Sequence, residues 1–212
     1  MWFIFIFPTP NCFGSSHGSS LYLLLVYHLI HVPSRRIIER MEYCTHCSGK
    51  LTKHSETSYE CSACSHRHYR NPVATVGIAL HKGGGVIVCS RRKYEPFKGR
   101  LDCIGGFVDY GENNEQALER ELKEEVSVGL NDLSRVRYLN SVHAIYPWMG
   151  KEVSLVCALF IADIKPGVKL VAGDDVAALE EFDLHQTLRK EDFEDDWMYV
   201  LLSAAKAYLG IS

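Results

Sequence analysis

Neither sign of charge prevails in this chain. Lys and Arg number 23 against 26 Asp and Glu, a formal net charge of -3 over 212 residues. Without a basic excess there is no broad electrostatic footprint for a phosphate backbone, which excludes an extended nucleic-acid surface. Apolar runs that reach the ~20 residues of a membrane-spanning helix are also missing, so no membrane partner is expected. The nearest are residues 1–7, aromatic and apolar, and residues 21–32, interrupted by His28 and His31. No Lys or Arg precedes them, the first being Arg35 and Arg36, so the charged lead-in of a secretory signal is lacking and a cytoplasmic location is expected. There is no internal repeat and no long low-complexity segment, which argues against solenoids and disordered arrays.

The remainder is ordinary globular composition, 47% hydrophobic and 23% charged, sufficient to bury a core. The length fits one main domain with a small appendage. The expected division is a hydrophobic or disordered extension over residues 1–40, a small cysteine module over 41–70 and the main domain over 71–212. Met41 stands just before the first cysteine knuckle, which opens at Cys44. The extension is therefore expected to be an upstream translation product or a disordered tail, with membrane association as the competing reading.

The most informative stretch is Gly106 to Val128. Gly105, Gly106 and Gly111 bracket a short apolar piece, Phe107-Val108, and glycine lets a backbone turn sharply or approach a ligand. Asn113 or Asn114 can cap a following helix, with Glu115 and Glu119 in its early turns, where acidic groups suit the dipole. Leu118, Leu122 and Val126 then recur at four-residue spacing, an apolar stripe for the core. Glu121, Glu124 and Glu125 stand at i, i+3 and i+4, which predicts three carboxylates together on a different face. Like charges so placed repel unless a divalent cation joins them, and oxygen ligands suit Mg2+ or Mn2+. A solvated acidic face is the bland alternative.

These residues resemble the Nudix box, G-x5-E-x7-R-E-U-x-E-E-x-G-U, with U a bulky aliphatic. Gly106, Glu112, Arg120, Glu121, Leu122, Glu124, Glu125 and Val128 fall on it, and Ser127 stands where the pattern has glycine. The resemblance implies metal-dependent hydrolysis of a pyrophosphate bond in a nucleoside diphosphate derivative, by water attack at phosphorus. It implies Glu121 and Glu125 as ligands of Mg2+ or Mn2+ with the Gly105 carbonyl, and Glu124 as a further ligand or proton acceptor. Arg120 is expected to clamp the loop to the helix through Glu112, a task for a fixed guanidinium fork. In many Nudix relatives a later segment, D-E-V-A-E-V-x-W-F, adds another acid. Here it runs Asp174-Asp175-Val176-Ala177-Ala178-Leu179-Glu180-Glu181-Phe182, with Ala178 at that acid's place. Asp174, Asp175 and Glu180 are the replacement candidates.

Cys44-x2-Cys47 and Cys61-x2-Cys64 form two knuckles at zinc-ribbon separation, four candidate thiolate ligands for a tetrahedral Zn2+. Disulfides, or His46, His54, His66 or His68 in place of a cysteine, are the competing readings. Cys12, Cys89, Cys103 and Cys157 form no knuckle; the last three lie in apolar segments as small buried hydrophobes. A ribbon ahead of a Nudix box is similar to the layout of bacterial NADH pyrophosphatases and their zinc-ribbon relatives, which often pair as homodimers. Their S-Q-P-W-P-F-P-x-S array is absent; residues 141–151 keep a serine, a proline and aromatics. Tyr146 and Trp148 are candidate base-stacking residues, with core packing as the alternative. Arg91-Arg92-Lys93 is expected to be a solvated strand end, phosphate binding being the minority view.

Strand patterns run over residues 73–81, 86–92, 136–146, 152–164 and 176–182, the first two as a hairpin across Gly83-Gly84-Gly85. Helical periodicity occupies residues 193–209. Together with the box helix, this predicts an α/β (α+β) fold, the Nudix α/β/α sandwich around a mixed sheet, preceded by the ribbon. Two functional classes follow: a pyrophosphohydrolase acting on NADH, ADP-ribose or a related small nucleotide, and a non-catalytic nucleotide sensor whose ribbon docks a protein or RNA. The full set of carboxylates favours the enzyme; Ser127 and Ala178 favour the sensor.

Overall fold

The alternating, β-branched run after Asn71 forms β4 (Val73–Gly83), and β5 (Val86–Arg92) returns beside it across the glycine turn. In this computed structural model, residues 42–190, 193 and 196–212 are described. The expected extension over residues 1–40, Met41 and Cys12 lie outside the described residues. Ahead of β4, three short strands, β1 (Leu51–Lys53), β2 (Ser58–Cys61) and β3 (Arg67–Tyr69), form an antiparallel sheet in that order. The main sheet is completed by β6 (Leu101–Asp102), β7 (Ile104–Phe107), β8 (Leu133–Trp148), β9 (Lys151–Ile164) and β10 (Val176–Asp183). Two α-helices stand among the described residues, α1 (Asn114–Val126) and α2 (Asp196–Tyr208).

The main sheet has seven strands, ordered β10-β5-β4-β9-β8, with β6 paired to β5 and β7 to β4. Its centre is parallel, β4 on β9 from Val73↔Leu155 to His81↔Asp163, while the other pairs are antiparallel, so the sheet is mixed. The expected hairpin is only partly closed. β4 and β5 pair at the turn end, Leu80↔Val88 and His81↔Ile87, then part, and β7 takes the vacated length of β4 from Thr75↔Phe107 to Ile78↔Ile104. That opening carries the box glycines into the sheet, with Gly77 opposite Gly105.

Period-two alternation sends Val76, Ile78 and Leu80 of β4 and Phe160 of β9 to one face, where they meet Leu118, Leu122 and Val126 of α1 in a continuous core. Asn113 is the α1 cap: its Oδ1 accepts from Gln116 N (2.9 Å) while Gln116 Oε1 accepts from Asn113 N (2.9 Å). Helix α2 packs on β8, β4 and β9 and buries Met198, Leu201, Leu202 and Ala205. The result is the expected α/β/α arrangement. No helix among the described residues is long and apolar enough to cross a membrane.

Candidate active site and metal centre

The placement of the box carboxylates corrects the expectation that all three share one face apart from the apolar stripe. Glu121 and Glu125 are buried, 9% and 6% exposed, in line with Leu118, Leu122 and Val126. Glu124 points outward, its side chain 47% exposed. The reason lies in the backbone opposite. Gly106 of β7 presents no side chain to the helix, where a Cβ would lie 2.4 Å from Glu121 Oε1, while Gly105 lets β7 lie close on β4, a Cβ there falling 2.1 Å from Val76 O. The two acids therefore reach past the apolar stripe into a slot roofed by glycine backbone, where Gly105 N donates to Glu125 Oε2 (2.9 Å).

Arg120 gathers the remaining acids. Its Nε donates to Glu112 Oε1 (2.9 Å), its Nη2 to Glu112 Oε2 (3.0 Å) and Phe107 O (2.7 Å), and its Nη1 to Glu121 Oε1 (2.7 Å) and Glu124 Oε2 (3.2 Å). This clamps the glycine loop to the helix. Burial raises the Glu121 carboxyl above its ordinary range, against the pull of Arg120. Glu125 has no ion pair among the described residues. Burial, followed by the charges of Asp175 and Glu121, outweighs the Gly105 N–H and pushes its carboxyl up to about 9.

Of the three replacement acids that the sequence leaves unranked, the structure brings Asp175 to the site. Its charge acts on Glu125 and Glu121, and its backbone oxygen accepts from Lys93 N (2.8 Å). Glu180 is engaged elsewhere, in a two-point pair with Arg91 that includes Nη2 to Oε2 at 2.6 Å. Asp174 sits in a left-handed turn (φ 39°) and offers its carbonyl to Lys93 Nζ (3.2 Å). A bulge between Val176 and Ala178 interrupts the β10 register opposite Arg92 and Arg91. An oxygen-only set of buried, mutually repelling carboxylates, one of them without a cationic partner, fits a hard divalent cation.

Tyr146 and Trp148 separate in role. Tyr146 is 6% exposed and ringed by other aromatics, so no face is open to a base, whereas Trp148 is 43% exposed. The basic run likewise divides. Arg91 pairs with Glu180, while Arg92 turns inward to Asp102.

The cysteine module closes on itself. The Sγ atoms of Cys44, Cys47, Cys61 and Cys64 all lie within 4.8 Å of one another, with Cys47 to Cys64 at 3.3 Å, Cys47 to Cys61 at 3.5 Å and Cys44 to Cys64 at 3.8 Å. These are free thiols, spaced near the ~3.8 Å edge of a tetrahedron with metal–sulfur bonds of ~2.3 Å. His46 N donates to Cys44 Sγ (3.4 Å) and Ala63 N to Cys61 Sγ (3.4 Å), and the Ala63 N–H helps to bring the Cys61 thiol down to about 7. His68 replaces no cysteine: its Nε2 lies 3.2 Å from Cys44 Sγ, behind the ligand shell.

Comparison with known proteins turns on residues 71–202, which match the family model for the NUDIX domain. The chain belongs to the NUDIX family. An ADP-ribose pyrophosphatase of Methanocaldococcus jannaschii is 34% identical over 120 residues, 57% of this chain and 67% of that protein. An NAD-capped RNA hydrolase NudC of Haemophilus influenzae is 26% identical over 165 residues, 74% of this chain and 59% of that protein. The chain thus spans little more than half of the NudC protein it matches. Among solved structures, a NUDIX hydrolase from Nitrosomonas europaea aligns with a TM-score of 0.56 at 21% identity, covering 81% of this chain and 94% of that one.

Within this NUDIX chain the two departures from the family pattern have physical readings. Ser127 is the C-cap of α1 in the left-handed region (φ 58°, ψ 30°), the conformation for which glycine is the ordinary residue. Ala178 pairs with Arg91 just past the bulge, and Asp175, on the other side of it, is the acid of this segment whose charge reaches Glu125. The network Arg92–Asp102–Trp197 went unnoticed in the sequence. Its signal was Asp102, an acid between Leu101 and Ile104 in an otherwise apolar strand pair.

Proposed function

We propose that the protein is a divalent-metal-dependent pyrophosphohydrolase that cleaves the phosphoanhydride of a nucleoside diphosphate derivative, with ADP-ribose and the NAD(H) class as first candidates. The observation that carries this reading is Glu125: a buried carboxylate that accepts from Gly105 N, feels the charges of Asp175 and Glu121, and has no ion pair among the described residues. A purely structural helix has no use for such a group, and burying it uncompensated is costly.

In this reading Glu121, Glu125 and the Gly105 carbonyl hold Mg2+ or Mn2+, and Glu124 is a further ligand or proton acceptor. When bound, these cations supply the charge that activates the attacking water and neutralises the leaving phosphate. Asp175 takes the water's proton, in the place that Ala178 leaves empty. Arg120 fixes the glycine loop through Glu112 and Phe107 O. Trp148, exposed at the end of β8, offers a ring to the base or nicotinamide. Residues 41–70 form a ribbon closed by a structural Zn2+ on Cys44, Cys47, Cys61 and Cys64, and residues 71–212 form the catalytic domain. No disulfide joins the cysteines of the described residues, which suits a reducing, cytoplasmic setting.

The sensor reading loses its two supports, since Ser127 keeps the helix cap and Asp175 supplies an acid. ADP-ribose, NADH and NAD-capped RNA, assayed with Mg2+ or Mn2+, test the proposal. The expected result is turnover of at least one, lowered about 100-fold or more by Glu125→Gln. Tight binding without products would instead establish a sensor.

A further inference from the structure

Tyr146 sits where four aromatic rings and a guanidinium converge. Its ring centroid lies 5.8 Å from that of Trp197, 6.1 Å from those of Phe97 and Trp148, and 6.3 Å from that of Phe107. Its hydroxyl oxygen accepts from Arg92 Nη2 (2.9 Å). Arg92 is held in turn, Nε donating to Pro96 O (2.8 Å) and Nη1 to Asp102 Oδ2 (2.6 Å), so each of its nitrogens is engaged by protein. Asp102 Oδ1 accepts from Trp197 Nε1 (2.9 Å) and from Cys103 N (2.8 Å). This chain of bonds fixes the phenol oxygen from behind.

A phenol oxygen that accepts from a guanidinium must send its own proton elsewhere. Among the hydrogen bonds of the described residues, none takes that proton, although Tyr146 is almost fully buried. Its surroundings are those of the glycine loop. Phe107, which touches the ring, follows Gly105 and Gly106, and Arg92 is the strand partner of Val176, next to Asp175. Lys93 N, one residue on from Arg92, donates to Asp175 O.

We propose that the Tyr146 O–H donates a hydrogen bond to a non-bridging oxygen of the substrate's phosphoanhydride, with Arg92, Asp102 and Trp197 as positioning residues behind it. The proposal deepens the pyrophosphohydrolase reading and rests on it. A neutral donor suits the place, because it stabilises phosphate without adding a cation that would compete for the carboxylates.

Tyr146→Phe keeps the ring and its packing. With ADP-ribose and Mg2+, this variant is expected to lose about tenfold or more in kcat/KM, mostly in kcat, while Tm stays within a few degrees. Trp197→Phe removes the indole N–H from Asp102 and lowers kcat less. The double variant is no worse than Tyr146→Phe alone, a non-additivity that loss of packing does not produce. Unchanged kcat and KM in Tyr146→Phe would overturn the proposal, and additive losses would overturn the positioning role. Wild type without turnover on any pyrophosphate substrate would sink the hydrolase reading instead. Calorimetry with ADP-ribose then decides the hydroxyl's part: weaker binding by Tyr146→Phe upholds it, and equal affinity or no binding by either protein refutes it.

Discussion

Glu125 shows how one residue can serve chemistry against stability. Its carboxyl is pushed up to about 9 in the folded protein, from an ordinary value of 4.5, first by burial and then by its acidic neighbours. Between those two values the folded, metal-free protein keeps a proton that the unfolded chain releases. Its stability therefore falls as pH rises from the carboxylate range toward 9. Thermal melts in chelator are expected to show that decline, and Glu125→Gln to flatten it and to melt several degrees higher at pH 8. Added Mg2+ is expected to restore the wild-type protein and to leave the variant unmoved. A variant less stable than wild type at pH 8 in chelator would contradict this account. Ser127 is strained for a simpler reason, a side chain in the left-handed region at the end of α1. Ser127→Gly is expected to stabilise by about 1 kcal/mol, roughly 2–4 °C in Tm, at the expense of a long bond from Ser127 Oγ to Val171 O (3.4 Å).

At the scale of the element, α1 is held at both ends by side chains that the helix itself supplies. The Asn113–Gln116 box closes its start. Beyond its end, Glu119 Oε2 accepts from Leu130 N (2.6 Å), and Lys123 Nζ meets Oε1 at 2.7 Å. The Leu130 N–H, with Lys123 behind it, holds the Glu119 carboxyl below its ordinary range. A depressed carboxyl contributes stability that is complete above its unfolded value of 4.5 and is lost as pH falls through the folded one. Glu119→Gln keeps an acceptor and removes the charge. Chemical denaturation is expected to find it about 1 kcal/mol less stable than wild type at pH 7, with the gap closing on acidification below the carboxylate range. A pH-independent gap would mean that shape rather than charge anchors the turn. The opened hairpin of β4 and β5 belongs to this scale as well, because only its opening admits β7 and sets Gly105 and Gly106 against α1.

The whole molecule joins two structures stabilised by different means. The sheet and its helices bury an aliphatic core, whereas the ribbon has three short strands and four thiols in place of one. In the proposed reading such a module takes its folding energy from a bound metal. Cys61→Ser, or prolonged chelation, is expected to remove bound zinc and lower Tm by several degrees, while any residual activity per folded molecule stays near wild type. Elemental analysis together with a melting curve checks it, and an unchanged Tm in zinc-free protein would refute it.

What the sequence by itself determined was whatever is written locally: the box with its spacing, the cysteine knuckles, the strand and helix periods and the cap near Asn113. Those features depend on neighbours along the chain, and their residue types carry the chemistry openly. Tertiary structure alone decided which carboxylates are buried: Glu121 enters the core where distant Gly106 leaves room for it, and Glu125 meets the backbone N–H of Gly105. It likewise chose Asp175 over Glu180, drew Arg92 inward to Asp102 and Trp197, and closed Tyr146 to a base while leaving Trp148 open. In each case the deciding contact joins segments far apart in the chain, and burial and pairing at such a distance leave no periodic trace in the residues themselves.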